Sequence, residues 1–207
     1  SNQGSGIQVH DSAALIEGNL VELNVASSSA GVIVTSDEEV VIRGNVIRAN
    51  SATSDYYGGL KSGPNTLVED NVIADNRAYV GAGAVWADGS TFRNNLITGN
   101  DTTIGFTIFL FNGASMEGDV IADNPAFLGL IETGADSLHP LRLTRVTITG
   151  TNSLFSVLGN GNGPVILEDC LIADNPAGGV YSYMNGDITL RRCPLSGHDL
   201  APAGGTF

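Results

Sequence analysis

The hydrophobic and polar positions of this chain follow one short pattern that recurs along its length. In its clearest form, Val68 is followed three residues later by Asn71, then by Ile73, and Asn76 comes three residues after that. Eight copies of the pattern begin at an apolar residue: Ile16, Ile42, Val68, Phe92, Met116, Leu143, Leu167 and Leu190. Successive copies begin 23 to 27 residues apart. A nearly fixed period in this range indicates a repeat architecture in which each copy is one structural unit.

Each copy has a constant half and a variable half, and this division predicts the coil of a solenoid. The leading apolar residue and the second Asn position are always eight residues apart, and every change in length falls after them. Gly44, Asp70 and Asn94 precede the first Asn position, where a tight corner needs such residue types. The variable half carries a further strand, for example around Val85 and Ile108. Because crossovers between parallel strands are right-handed, the pattern predicts an all-β, single-stranded right-handed parallel β-helix of about eight coils.

The repeats also resemble a known family. The Asn-x-Ile-x-x-Asn units, together with the Gly-Gly-Leu segment at Gly58 and the Gly-Gly-Val segment at Gly178, are similar to those of the pectate-lyase-like right-handed parallel β-helix superfamily. The resemblance covers nearly the whole chain and implies the fold. It does not imply one activity, because that superfamily includes lyases, hydrolases, epimerases, adhesins and inert scaffolds.

The repeat frame divides the chain into three parts. Residues 1–13 are expected to form a linker or an N-terminal edge segment, residues 14–198 the β-helix, and residues 199–207 a C-terminal tail. The end coils of a solenoid expose apolar residues and open strand edges. We therefore expect this sequence to be part of a longer chain or to associate end to end with another copy.

Two columns of asparagine are predicted where residues of one frame position stack along the rod. The first comprises Asn19, Asn45, Asn71 and Asn95 and continues to Asp119, and the second comprises Asn24, Asn50, Asn76, Asn100, Asn124 and Asn175. Corner amides can satisfy backbone groups that would otherwise be buried without partners. The columns are therefore interpreted as structural ladders rather than as a polar binding strip.

Cys170 and Cys193 share a frame position in adjacent coils. The strand spacing of about 4.8 Å permits a disulfide by its Cα distance. Side chains held parallel and in register nevertheless keep their Cβ atoms farther apart than a disulfide prefers. The sequence favours two stacked thiols and leaves a disulfide as the alternative.

Aromatic residues in the variable half supply the candidate ligand-binding face. If Val85 and Ile108 point into the core, their neighbours along the strands point outward. The predicted outward set is Lys61, Trp86, Phe109, Phe111, Tyr181 and Tyr183, and Tyr56, Tyr57 and Tyr79 lie in loops on the same side. Outward rings can stack on sugars or bury a protein surface. A third alternative is that a loop covers them as a second-layer core.

Composition removes several classes of function. A net charge of −13, with 22 acidic residues against 9 basic ones, argues against binding nucleic acid or anionic membranes. No apolar run is long enough to cross a membrane. No motif indicates a metal site, so no cofactor is expected. Calcium stays open as an alternative, although no Asp-x-Asp run supports it.

The catalytic residues that the resemblance would imply are also missing. The chain has a single lysine, Lys61, and neither the Asn-Thr-Asp nor the Asp-Asp motif of hydrolases with this fold. We therefore expect a non-catalytic secreted or cell-surface module that presents a rigid face to a glycan or protein partner. Two alternatives stay open: a lyase, hydrolase or epimerase acting on acidic glycans, and a structural spacer.

Overall fold

The computed structural model describes residues 4–54, 56–134, 138–152, 156–160, 163–176, 178–183 and 187–197. Within these residues every regular element is a β-strand and no helix is present. The strands stack in parallel with their counterparts in neighbouring coils and form four sheets that run along the rod. The architecture is the predicted right-handed parallel β-helix. The expected C-terminal tail, residues 199–207, lies outside the described residues.

Sheets A and B each contain eight strands. Sheet A consists of β1 Ile7–His10, β5 Val32–Thr35, β9 Leu60–Ser62, β13 Val85–Asp88, β17 Phe106–Phe111, β20 Gly129–Gly134, β23 Val157–Asn160 and β26 Val180–Tyr183. Sheet B consists of β2 Ala14–Glu17, β6 Val40–Arg43, β10 Thr66–Glu69, β14 Thr91–Arg93, β18 Ser115–Glu117, β21 Leu141–Thr144, β24 Val165–Glu168 and β27 Ile188–Arg191.

Sheet C also has eight strands, whereas sheet D has four. Sheet C consists of β3 Leu20–Glu22, β7 Val46–Arg48, β11 Val72–Ala74, β15 Leu96–Thr98, β19 Val120–Ala122, β22 Thr147–Thr149, β25 Leu171–Ala173 and β28 Leu195–Ser196. Sheet D consists of β4 Val25–Ala26, β8 Ser51–Ala52, β12 Arg77–Val80 and β16 Asp101–Ile104. The segment before Ala14, expected to be a linker or edge segment, contains β1, which pairs with β5 at the edge of sheet A.

The core is a set of apolar columns inside the coils. Ile47, Ile73 and Ile97 pair in register in sheet C, and all three are fully buried. Strand residues alternate between the interior and the outside, so one apolar residue per short strand is enough to fill this column. The period-two pattern within each repeat therefore becomes a continuous core along the rod.

The corners between the sheets hold residues in the left-handed backbone region. Before the first Asn column, the corner residues with positive φ are Gly18, Gly44, Asp70, Asn94, Gly118, Arg145, Asp169 and Arg192. Before the second column they are Leu23, Ala49, Asp75, Gly99, Asp123, Gly150, Asp174 and Gly197. Every coil thus makes both corners with the same backbone conformation, although only Gly, Asn and Asp adopt it readily.

Both predicted asparagine columns are present as hydrogen-bonded ladders. Asn71 is buried, and its Oδ1 accepts from the backbone N (2.9 Å) and from the Nδ2 (3.0 Å) of Asn45. Its own Nδ2 donates to the Ile42 carbonyl (2.9 Å) and to Asn95 Oδ1 (3.0 Å). Each amide therefore satisfies backbone groups of its own corner and of the adjacent coil, which supports the structural interpretation.

The cysteine pair continues the first column with weaker bonds of the same pattern. The Cys170 N–H points at Cys193 Sγ, with the two atoms 3.4 Å apart. The Cys170 thiol donates to the Leu143 carbonyl (3.3 Å), and the Cys193 thiol donates to the Leu167 carbonyl (3.4 Å). Both residues are free thiols, which is the stacked arrangement that the sequence favours. Burial raises the pKa of Cys170 to about 11, so this thiol is a poor nucleophile at neutral pH.

Candidate recognition surface

The outer face of sheet A carries most of the aromatic residues that the sequence singled out. Trp86 lies in register with Lys61 in one neighbouring strand and with Phe109 in the other. The strand neighbours Val85 and Ile108 are fully buried, whereas Lys61, Trp86 and Phe109 are half-buried. The predicted alternation of inward and outward side chains is therefore present in these strands.

Four rings on this face contact one another, and we call them the aromatic patch: Tyr57, Trp86, Phe109 and Phe111. The Trp86 and Phe109 ring centroids are 4.9 Å apart with 28° between the ring planes. Phe111 lies 4.9 Å from Trp86 and 5.9 Å from Phe109. Tyr57 meets Trp86 edge-on, with 5.3 Å between the ring centroids.

The spacing of the coils explains this stacking. Adjacent parallel strands lie about 4.8 Å apart, so rings that share a register position stand close to the distance at which aromatic rings stack. The faces that Trp86 and Phe109 turn toward each other cannot also lie against a ligand. The patch is therefore not an open platform of free ring faces, and its half-buried rings are not a fully covered second layer.

The loop before β9 closes one end of the patch. Tyr56 and Tyr57 have ring centroids 5.7 Å apart, and Lys61 Nζ lies 5.2 Å from the centroid of the Tyr57 ring, a cation–π geometry. Burial raises the pKa of the Tyr57 hydroxyl, and the nearby Tyr56 and Asp88 add to the rise. This hydroxyl therefore remains neutral at physiological pH.

A second apolar group lies beside the patch, where the chain bends from sheet D toward sheet A. We call it the apolar ridge: Tyr79, Ile104, Phe127 and Leu128. Their exposed fractions are 48%, 45%, 65% and 38%, respectively. Val80, next to Tyr79, pairs with Ile104, and the bridge between Thr102 and Ala126 places Phe127 in the following coil. The ridge thus crosses three successive coils.

Tyr56 connects the ridge to the patch. It is 49% exposed, and its backbone carbonyl accepts from the Ala82 N–H (2.7 Å). Its main chain also lies against Gly81, where a Cβ atom would come within 3.0 Å of the Tyr56 Cα. Gly81 has φ +91°, so glycine is required both by the backbone conformation and by this close approach.

The remaining predicted members lie apart from the patch. Along the same column of sheet A, Phe109 is followed by Glu132, Leu158 and Tyr181, which puts Tyr181 three strands, or roughly 14 Å, away. Tyr183 ends β26, and its side chain lies outside the described residues. The structure therefore groups Lys61, Trp86, Phe109 and Phe111 with Tyr57, and it does not bring Tyr181 to them.

Sequence comparison assigns the chain to a family. Residues 1–139, about two thirds of the chain, match the family described as right handed beta helix region. The chain belongs to this right-handed β-helix family. A comparison with curated proteins found no significant match. The family agrees with the fold and with the superfamily resemblance, and it brings no activity with it.

Charged side chains of this β-helix form pairs on the outside of the coils. Glu17, Arg43, Glu69, Arg93 and Glu117 follow one another in register along sheet B, so that the sign alternates. Arg43 Nε lies 2.8 Å from Glu17 Oε1, and Arg145 also reaches Glu117. The alternation is the salt-bridge pairing that cross-strand neighbours favour. It accounts for these arginines without a catalytic role.

Three further features of the described coils bear on the choice of a candidate site. Across the described part of the chain, no group of three or more His, Cys, Asp or Glu residues could hold a metal ion. Two open depressions, one beside Asn19 and one beside Asn65, lie away from the aromatic patch. None of the described residues belongs to a helix that is long and apolar enough to cross a membrane. The aromatic patch and the apolar ridge are therefore the strongest candidate site.

Proposed function

We propose that this right-handed β-helix is a non-catalytic module, secreted or displayed at a cell surface, which binds a protein partner. The proposed binding surface is the aromatic patch together with the apolar ridge. The observation that carries the proposal is the set of exposed apolar side chains on three neighbouring coils, with Phe127 65% exposed. Several large apolar groups exposed on neighbouring coils beside a rigid sheet are typical of interaction surfaces.

Ring geometry favours a protein over a sugar at the aromatic patch. Sugars stack on open ring faces, whereas Trp86 and Phe109 stack on each other at 4.9 Å. A protein partner can pack aliphatic side chains against ring edges and against Ile104 and Leu128 in one continuous contact. The backbone hydrogen bonds along sheet A fix the surface before binding, so little ordering of the backbone is required.

Charge indicates the kind of partner. The chain carries a net charge of −13, and Asp88 lies close enough to Tyr57 to raise its pKa. The acidic chain would attract a partner whose apolar residues are surrounded by basic ones. Once bound, the apolar residues of both proteins would be buried against each other. The association rate should consequently fall as salt is added.

Site-specific photo-crosslinking of the full chain tests this function. A photoreactive amino acid at position 104 should capture a discrete protein partner from the source cells, and Leu128→Glu in the same chain should abolish the adduct. The matched control is the photoreactive group at position 171 combined with Val120→Glu, because Leu171 (41%) and Val120 (39%) are similarly exposed on sheet C. Equal capture at positions 104 and 171, or capture that is indifferent to Leu128→Glu, would overturn the proposal.

Glycan binding is the second candidate, because Tyr79 and Phe127 have large exposed fractions and could each offer a ring face to a sugar. A glycan array distinguishes the two functions. Specific sugar binding that is lost in Phe127→Ser, and also in Trp86→Ala, would replace the protein partner with a carbohydrate. An array without binding, together with the position-specific adduct, would support the protein-binding module.

A further inference from the structure

The first asparagine column contains one acidic residue, Asp119, at a fully buried position. Its Oδ1 accepts from the backbone N and from the Nδ2 of Asn95, both at 2.8 Å. Its Oδ2 accepts from the Glu117 N–H at 3.0 Å. Asp119 therefore accepts the hydrogen bonds that an asparagine accepts at this position of the ladder.

When its carboxyl group is ionised, Asp119 cannot donate the hydrogen bond that an asparagine donates at this position. In the two preceding coils, the amide Nδ2 donates to the carbonyl of the leading apolar residue: Asn71 to Ile42 and Asn95 to Val68, each at 2.9 Å. The equivalent carbonyl for Asp119 is that of Phe92 in the preceding coil, which pairs in register with Val68. A carboxylate has no hydrogen to offer it, whereas a neutral carboxylic acid has one.

Apart from the three N–H donors, the surroundings of Asp119 give its negative charge little support. Val146, at the same position of the next coil, is apolar and fully buried. The charged side chain that acts on Asp119 is Glu117, of the same sign, whose own partners are Arg93 and Arg145. Burial raises the pKa of Asp119 to about 6, although the hydrogen bonds from Asn95 and Glu117 oppose the rise. The charge on Glu117 adds to it.

We propose that Asp119 is a proton-dependent rung of the ladder, which tightens its coil in mildly acidic conditions and loosens it at neutral pH. Protonation would turn the acid into a counterpart of asparagine, with one oxygen accepting from Asn95 and the hydroxyl donating to the Phe92 carbonyl. Phe127 lies in the same coil, and Phe109 and Phe111 lie on the strand that leads into it, so the proton would act beside the aromatic patch and the apolar ridge.

The direction of the effect follows from the raised pKa. An acid that binds its proton more tightly in the folded state stabilises that state at low pH, and the stabilisation is lost as pH rises through the folded pKa. With a folded pKa of about 6 against an ordinary value of 3.8, the folding equilibrium constant should fall about 50-fold between pH 4 and pH 7. The part of this change that lies between pH 5 and pH 7 is about tenfold.

Hydrogen exchange of the full chain at pH 5 and pH 7, corrected for intrinsic exchange rates, measures this change coil by coil. In the natural protein, the amide opening constants around Glu117 and Val120 should be about tenfold smaller at pH 5. In Asp119→Asn they should be small at both pH values. Asp37→Asn, which removes an equal charge from an exposed loop, is the matched control and should retain the pH dependence of the natural protein.

Carboxyl-carbon NMR of the unsubstituted protein gives an independent measurement that needs no variant to fold. A titration midpoint of Asp119 near pH 6 supports the proposal, and a midpoint near pH 4 overturns it. The proposal is also overturned if the amide opening constants of Asp119→Asn depend on pH as strongly as those of Asp37→Asn. If Asp119→Asn fails to fold, the NMR titration alone decides.

Discussion

The N-terminal coils and the C-terminal coils build the same backbone with different side chains in the first Asn column. Through Asn95 the column is continuous asparagine, with paired bonds of about 3 Å between each amide and the next. Beyond it the column reads Asp119, Val146, Cys170 and Cys193. The family match also ends in this region, at residue 139.

The difference shows that the amide ladder strengthens the corners but does not create them. Arg145 and Asp169 have φ values of 54° and 55°, close to 55° for Asp70 beside Asn71. Thiol groups of Cys170 and Cys193 reach the same backbone carbonyls that asparagine reaches elsewhere, at longer distances. Coil shape is therefore set by the apolar columns and the strand pairing, and the polar column adds stability where it is complete.

The largest expected effect comes from removing one amide of the complete column. Asn71→Leu would leave the Asn45 N–H and the Ile42 carbonyl buried without partners, so we expect a loss of about 3–5 kcal/mol in the free energy of unfolding. Cys170→Ala, in the C-terminal part of the same column, should cost only about 1–2 kcal/mol, because a small apolar volume and weak bonds are lost. Urea unfolding measures both. Equal losses would show that the amides of the N-terminal coils stabilise the fold no more than the thiols of the C-terminal coils.

The second corner supplies a smaller test. From the third coil onward its residues alternate between aspartate and glycine, and a Cβ atom at Gly99 or Gly150 would meet the Oδ1 of Asp75 or Asp123. Ala49 occupies the same corner in the second coil with φ 52°, where the preceding coil has Leu23 instead of an aspartate.

Gly150→Ala should therefore destabilise the fold by about 1–2 kcal/mol, through its backbone conformation and through the clash with the carboxylate. Asp123→Ala in the same chain should restore the part of the lost stability that is due to the clash. Thermal unfolding of the single and double variants in a mutant cycle separates the two contributions. No recovery would mean that the backbone conformation alone explains the alternation.

The smallest effect is expected on the outer face of sheet B. Arg43→Met removes the exposed Glu17 pair in the regular N-terminal column, and Arg145→Met removes a Glu117 pair where Thr144 interrupts the column. Each should cost less than about 1 kcal/mol, since exposed pairs are screened by water and salt. Unfolding at low and high salt measures the difference, which should shrink as salt is added. A loss that does not depend on salt would point to packing by the arginine stem instead of charge.

The fold could be predicted because the sequence pattern repeats with a nearly fixed period. Residues such as Asn71, Ile73 and Asn76 recur at one spacing, and a strict recurrence has few structural solutions. The alternation around Val85 and Trp86 was also predictable, since it needs only the period of a strand.

The candidate surface was predictable only in part. Ile104, Phe127 and Leu128 lie in the variable half, where no recurring position shows which side chains remain exposed. Their signal was a run of large apolar residues outside the repeat frame. The stacking of Trp86 on Phe109 depends on the exact register of β13 and β17. This register cannot be predicted from the sequence, because the connections before these strands vary in length. The separation of Tyr181 from the patch has the same cause, because β20 and β23 of sheet A lie between Phe109 and Tyr181.

The alternating corner and the alternating charges along sheet B share one consequence for how such a chain can change length. Odd-numbered coils carry the acids, Glu69 with Asp75 and Glu117 with Asp123, and the coil between them carries Arg93 with Gly99. Losing that single coil would bring glutamate beside glutamate and place two aspartate side chains in one corner. Losing two consecutive coils would leave every neighbour matched. In this part of the molecule, the natural unit of duplication or deletion is therefore a pair of coils.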